Sequence, residues 1–155
     1  MRRKKNFKRE INPDPKYGNA QVAKFINYVM RRGKKSLAQQ IVYKTLDLLE
    51  KKYKQDPLKV FDAALQNASP ALEVKSRRIG GATYQVPREV RGERRFYLAC
   101  NWIIGAARSQ KGKPMIEKLA AELIAASKNE GAAIKKKVDM HRMAEANKAF
   151  AHFSW

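Results

Sequence analysis

Two histidines, one cysteine and a scatter of carboxylates are the side chains of this 155-residue chain that could carry covalent or metal chemistry. His141 and His152 are the only histidines, and neither has a cysteine or a second histidine at ligand spacing. His141 and Glu145 lie four apart on a helical stretch, which predicts a surface contact, because a four-coordinate metal site needs more donors than one such pair supplies. Cys100 falls on an apolar helix face beside Trp102 and Ile103. That position predicts a buried, inert thiol, and a lone cysteine allows neither an internal disulfide nor a cysteine-based metal site. Asp62 and the other carboxylates form no acidic cluster of the kind that metal-assisted nucleases use. Gly80-Gly81 by itself is no phosphate-cradling loop. The expectation is a protein with no catalytic residues, no cofactor and no metal.

The remaining chemistry is charge. The chain has 34 Lys+Arg against 14 Asp+Glu, a formal net charge of +20. Self-repulsion of that size opposes the compact state unless a polyanion binds, so nucleic acid is the expected partner. No stretch approaches the roughly 20 apolar residues that span a bilayer, and none has the apolar core of a signal peptide. The expectation is a soluble, intracellular protein with no membrane partner. Arg2, Arg3, Lys4, Lys5, Lys8 and Arg9 form a basic arm over residues 1–11. Arg31, Arg32, Lys34 and Lys35 flank a first turn, and Lys75, Arg77 and Arg78 crowd beside Gly80-Gly81. Arg88, Arg91, Arg94 and Arg95 follow, then Arg108, Lys111 and Lys113, then Lys135, Lys136 and Lys137. Charge gathered at several turns suits a folded RNA touched at many points, whereas one stripe would suit a single duplex groove. Tyr84 and Gln85 add a stacking face and an amide near the Gly-Gly pair, residue types that read unpaired nucleotides. For a single lysine pair an ordinary solvated surface is an equal reading, but solvated surfaces usually mix signs, and here the excess of one sign is too large.

The elements that must position these groups are mostly helical. Apolar residues from Val22 to Met30 recur at helical spacing, with Asn19 able to cap the start and Gly33 to end the helix. Ser36 precedes a longer amphipathic helix through Leu37, Ile41, Leu48 and Leu49 that stops before Asp56-Pro57. That pair caps and opens a third helix through Phe61, Ala64 and Leu65, closed by Ser69-Pro70. From Leu72 to Val90 the pattern alternates around Gly80-Gly81, a hairpin signal, with Pro87 confining its strand to an edge. Helical spacing resumes at Phe96, ends near Gly112, restarts at Pro114 and stops at Asn129-Glu-Gly131. A last helix is expected from the Lys135–Lys137 region towards Phe150. The fold class is therefore mainly α: one domain over 1–155, about six helices, with a protruding two-stranded β-hairpin at 72–90.

Glu73-Val-Lys-Ser-Arg-Arg-Ile-Gly-Gly-Ala-Thr-Tyr-Gln-Val-Pro-Arg-Glu-Val90 resembles the signature of the family of small-subunit ribosomal protein seven, in its bacterial form. Lys135-Lys-Lys-Val-Asp-Met-His-Arg-Met-Ala-Glu-Ala-Asn-Lys-Ala-Phe-Ala-His-Phe153 resembles that family's C-terminal helix, and Asp14-Pro to Gly33-Lys-Lys-Ser36 its start. The likeness covers nearly the whole chain. It implies a structural protein that binds the ribosomal RNA of the small-subunit head, touches neighbouring ribosomal proteins and helps that region assemble. It also implies that the hairpin and C-terminal helix lie near the exit-site transfer RNA and the messenger path. By position, Lys75, Arg77, Arg78, Gly80, Gly81 and Tyr84 match the hairpin motif, Arg142, Asn147, Lys148 and His152 the C-terminal one, and Lys34 and Lys35 the first basic turn. Asn101 stands before Trp102, where relatives often carry arginine. The implied location is the cytoplasmic ribosome; a plastid-encoded relative would read similarly.

Two other classes compete. A DNA-bending architectural protein also extends basic β-ribbon arms, but such arms kink DNA with an apolar or proline wedge at the tip. Here the tip is Gly80-Gly81 and Pro87 lies well down the strand. An RNA-processing enzyme would need a reactive constellation that the residues do not supply.

Overall fold

The computed structural model describes residues 11–153; the basic arm at positions 2–9 lies outside them. The chain divides into two compact units, one ending at Gln40 and the other beginning at Ile41.

In the first unit, Asp14 sits in a tight turn, its carboxylate accepting from the Lys16 and Tyr17 N–H groups at 3.1 Å each. Helix α1 (Ala20–Val29) follows, capped by Asn19, whose Oδ1 accepts from the Gln21 N–H at 2.7 Å. It buries Val22, Phe25, Ile26 and Val29. The helix ends at Met30 rather than at Gly33. Gly33 (φ 73°), together with Arg32 (φ 51°), instead makes the reversal into the next helix. A positive φ suits glycine best, so its place in the sequence marks that reversal and not the helix end. Helix α2 (Lys35–Tyr53) begins in this unit and continues into the second.

The second unit holds the larger core. Val42, Leu46 and Leu49 of α2 are buried, as are Val60, Phe61, Ala64, Leu65 and Ala68 of α3 (Pro57–Ala68). Asp56 caps α3 as expected, accepting from the Leu58 and Lys59 N–H groups, with Pro57 in the first turn. Helix α4 (Gly92–Ser109) packs against α3, α5 (Met115–Ser127) and α6 (Ala132–Ala146). Three long-range polar contacts tie these helices. Asn67 Nδ2 donates to the carbonyls of Ala126 (3.0 Å) and Ser127 (2.9 Å), closing the end of α5. Lys137 Nζ donates to the Asn67 carbonyl at 2.6 Å. Buried Glu122 accepts from the Ala133 N–H at 2.9 Å, capping α6 from a neighbouring helix.

The final helix departs from expectation. It stops at Ala146, and a 3-10 helix, Lys148–Phe153, follows. The Asn147 side chain donates to the Met143 carbonyl at 2.8 Å. The same carbonyl keeps its helical bond from the Asn147 N–H, at 3.2 Å, so the side chain adds a second donor at the helix end.

Between α3 and α4, β1 (Leu72–Ile79) and β2 (Ala82–Glu89) form an antiparallel hairpin. Gly80 (φ 55°) and Gly81 (φ 91°) make its two-residue turn, and both signs of φ are those a type I′ turn requires. Val86 and Val90 are buried at its base, while Ser76, Arg78 and the turn are exposed.

Candidate nucleic-acid interface

The register set by the turn places Glu73 opposite Arg88, Lys75 opposite Val86 and Arg77 opposite Tyr84. Side chains alternate between faces along a strand, so these six share one face. At its base the Glu73 carboxylate is held by Arg88, through Nη2 and through Nε at 2.8 Å, and by Arg94 of α4, through Nε at 3.2 Å. Burial pushes this carboxyl up, but the hydrogen bonds and charges of Arg88 and Arg94 outweigh it and hold it below the usual carboxylate value. The ion pair thus fixes the hairpin to the start of α4 while leaving each arginine side chain about half exposed, at 44% and 49%.

Above that pair lies a recess of about 540 Å³ between the hairpin face and the start of α4, lined by Glu73, Lys75, Arg77, Val86, Arg88, Glu89, Arg91 and Arg94. Five cations face two carboxylates there. One carboxylate is already committed, so the recess presents donors and positive charge, which is anion-binding chemistry. Arg95 is exposed one residue along the helix, and Arg78 is exposed on the opposite hairpin face.

The other basic groups are elsewhere. Arg31, Arg32, Lys34 and Lys35 are exposed on the first unit's tight turn, where the Lys35 N–H donates to the Gly33 carbonyl at 2.8 Å. Arg108, Lys111 and Lys113 lie at the far end of α4, about 25 Å along the helix from Arg91 at 1.5 Å per residue. Lys135 and Lys136 are exposed on the first turns of α6, and Lys136 Nζ lies 3.7 Å from where a Cβ on Gly105 would stand. Lys137 differs from its neighbours, because its ammonium is turned into the fold towards Asn67. Arg142 is exposed and paired with Asp139 at 2.9 Å, and Lys148 and His152 are exposed on the 3-10 helix.

Two features were not anticipated. Arg88 anchors the base, and its pairing with Glu73 could have been read from a register centred on Gly80-Gly81. Phe150 and Phe153 gather at Tyr84, with ring centroids 5.1 and 5.8 Å from it; their spacing of three was the available signal.

Cys100 and His141 are engaged within the fold. Cys100 is fully buried, and burial pushes its thiol up to about 12. His141 does not pair with Glu145; its Nε2 accepts from the Ala71 N–H at 3.0 Å, tying α6 to the chain entering β1. Burial, then the charge of Lys137, lower its pKa. Among the described residues no group of three or more His, Cys, Asp or Glu side chains could hold a metal ion, and no helix is long and apolar enough to cross a membrane.

A family model described as ribosomal protein S7p/S5e matches residues 1–148. The protein named small ribosomal subunit protein uS7 in Thermotoga maritima is 59% identical over 155 residues, 100% of each chain. Proteins of the same name in Xanthobacter autotrophicus and Teredinibacter turnerae are 58% identical over 154 residues and 59% identical over 152, covering 97% or more of both chains.

Proposed function

This chain belongs to the ribosomal protein S7p/S5e family, and from that premise we infer that it is a structural component of the small ribosomal subunit rather than an enzyme. We propose that it binds the ribosomal RNA of the subunit head directly, helps that region assemble beside neighbouring ribosomal proteins, and lies near the exit-site transfer RNA and the messenger path.

The observation that carries the RNA reading is the recess at the hairpin base, with five cations against two carboxylates, one of them already paired. Lys75, Arg77, Arg91 and Arg94 form its contact set, and the exposed cations on the two other basic turns and on α6 add separate contacts. Arg2, Arg3, Lys4, Lys5, Lys8 and Arg9 would extend the footprint from the arm. Contact at several separated points selects a folded RNA over one straight duplex.

Filter binding to a subunit-head ribosomal RNA fragment, against duplex DNA of equal length, tests this. With six or more phosphate contacts, affinity for the RNA falls on the order of a thousandfold between about 50 and 200 mM salt. A flat salt response, or equal affinity for the duplex DNA, would overturn the reading.

A further inference from the structure

The base of the hairpin is tied to two helices, and one tie can change its charge near neutrality. On α4 the tie is Glu73 with Arg88 and Arg94. On α6 it is Ala71, the residue before β1, through both of its backbone groups. The Ala71 carbonyl accepts from the Val90 N–H at 3.0 Å, closing the hairpin, and its N–H donates to His141 Nε2 at 3.0 Å. One helical turn earlier, Lys137 Nζ donates to the Asn67 carbonyl at 2.6 Å. Two side chains of α6, four residues apart, thus clasp the connection from the end of α3 into β1. Of the two, the imidazole is the one that can turn from acceptor to donor.

Acceptance at Nε2 needs a neutral ring with its proton on Nδ1. A protonated ring carries donors on both nitrogens, and one of them then faces the Ala71 N–H. The surroundings decide where such a ring can go. A recess of about 520 Å³ opens beside it, between α6, the 3-10 helix and the base of the hairpin. Positive charge reaches the ring from Lys137 of its own helix, and Arg88 of β2 and Lys148 of the 3-10 helix line the recess. Negative charge comes from Glu145 of α6 and Glu89 of β2, while β1 contributes the apolar Leu72. Arg88 is committed to Glu73 and Lys137 to Asn67. Among the described residues neither Glu89 nor Glu145 is held in an ion pair. Glu145 stands four residues from His141, the spacing at which side chains on one helix meet.

We propose that His141 is a two-position switch: neutral, it holds Ala71 and clasps the hairpin to α6; protonated, it releases Ala71, turns into the recess and pairs with Glu145, leaving the base anchored through Glu73. Burial and the charge of Lys137 both disfavour the protonated ring, so the change of position comes below the ordinary histidine value of 6.5. The Glu73 carboxyl is held below its own ordinary value of 4.5 and keeps its charge through that range. The two ties therefore let go in sequence as pH falls, α6 first and α4 second. In the interval the strands keep their pairing while the hairpin moves more freely as a unit on α4.

The test uses the full chain, free of nucleic acid, followed by NMR between about pH 7.5 and 5. The His141 ring should titrate with a midpoint below 6.5, and the Ala71 amide proton should move upfield with the same midpoint. Backbone order parameters of residues 76–85 should fall over that range while those of α4 hold. His141→Phe keeps a ring but no acceptor; both steps should vanish and the hairpin be mobile at every pH. Glu145→Gln should leave Ala71 held at the upper end and lower the midpoint by about 0.2–0.4 pH unit. His152→Gln, which removes the only other histidine, should leave both steps in place. An Ala71 amide that stays put while His141 titrates would overturn the proposal, as would unchanged order parameters in the hairpin or a midpoint that Glu145→Gln does not move. Should His141→Phe fail to fold, the wild-type and Glu145→Gln titrations decide.

Discussion

The Glu73 carboxylate lies where two strands and a helix converge, and its guanidinium partners set its charge. Glu73→Gln should lower stability by about 1–2 kcal/mol at neutral pH, kept modest because Arg88 and Arg94 can turn to water. A carboxyl lowered in the folded state contributes fully above its ordinary value of 4.5, and the contribution is lost as pH falls through the lower folded value. Thermal unfolding of variant and wild type should therefore converge on the acid side of pH 4.5 and differ above it. His141 follows the same sign for a different reason. Its neutral ring accepts the Ala71 N–H, and burial and Lys137 disfavour the charged form, so its contribution is complete above 6.5 and declines as pH falls below that. His141→Ala should cost about 1 kcal/mol, flatten that slope, and leave ribosomal RNA affinity within a few-fold. For Cys100, a thiol pushed up to about 12 and fully buried should resist alkylation in the native state. Modification at a rate independent of unfolding would contradict its inert role.

At the scale of elements, the hairpin is the clearest test of separable function. Deleting residues 76–85 and rejoining the strands leaves Glu73, Val86 and Val90, the groups that hold the base to the helices. The shortened protein should still unfold cooperatively, because a protruding ribbon adds little to the core. Ribosomal RNA binding should weaken only in part, and subunits carrying the deletion should show altered exit-site transfer RNA occupancy and more reading-frame errors; normal values with full incorporation would refute that role. This element was legible in the sequence as a hairpin, since a Gly-Gly pair between alternating runs marks a two-residue turn, and such a turn fixes every pair behind it. The caps at Asn19 and Asp56 were legible for the same reason, being local. Glu122 beneath Ala133, and Asn67 between Lys137 and the end of α5, were not. Each joins residues 11 to 70 positions apart through packing that no local pattern encodes. The sequence pattern does not show the break at Asn147, because apolar spacing continues to Phe150 and a change from α to 3-10 pitch leaves no separate periodic trace.

For the whole molecule, the excess of 20 positive charges predicts that substituting Lys75, Arg77 or Arg91 with glutamine weakens binding to all RNA sequences alike and reduces the salt slope by about one each. A sequence-selective loss would mean that the recess reads bases instead. The two signs of charge are otherwise divided by place. Asp14 shapes a turn, Asp56 caps α3, Glu73 anchors the hairpin and Glu122 caps α6, whereas most cations among the described residues are exposed on the surface. These four acids answer to the fold, and the exposed cations to the ligand. A saturation screen scored for abundance and a second scored for RNA retention should then return nearly disjoint sets, divided by sign of charge. The overlap should fall on Arg88, Arg94 and Lys137, the cations the fold has already taken for itself.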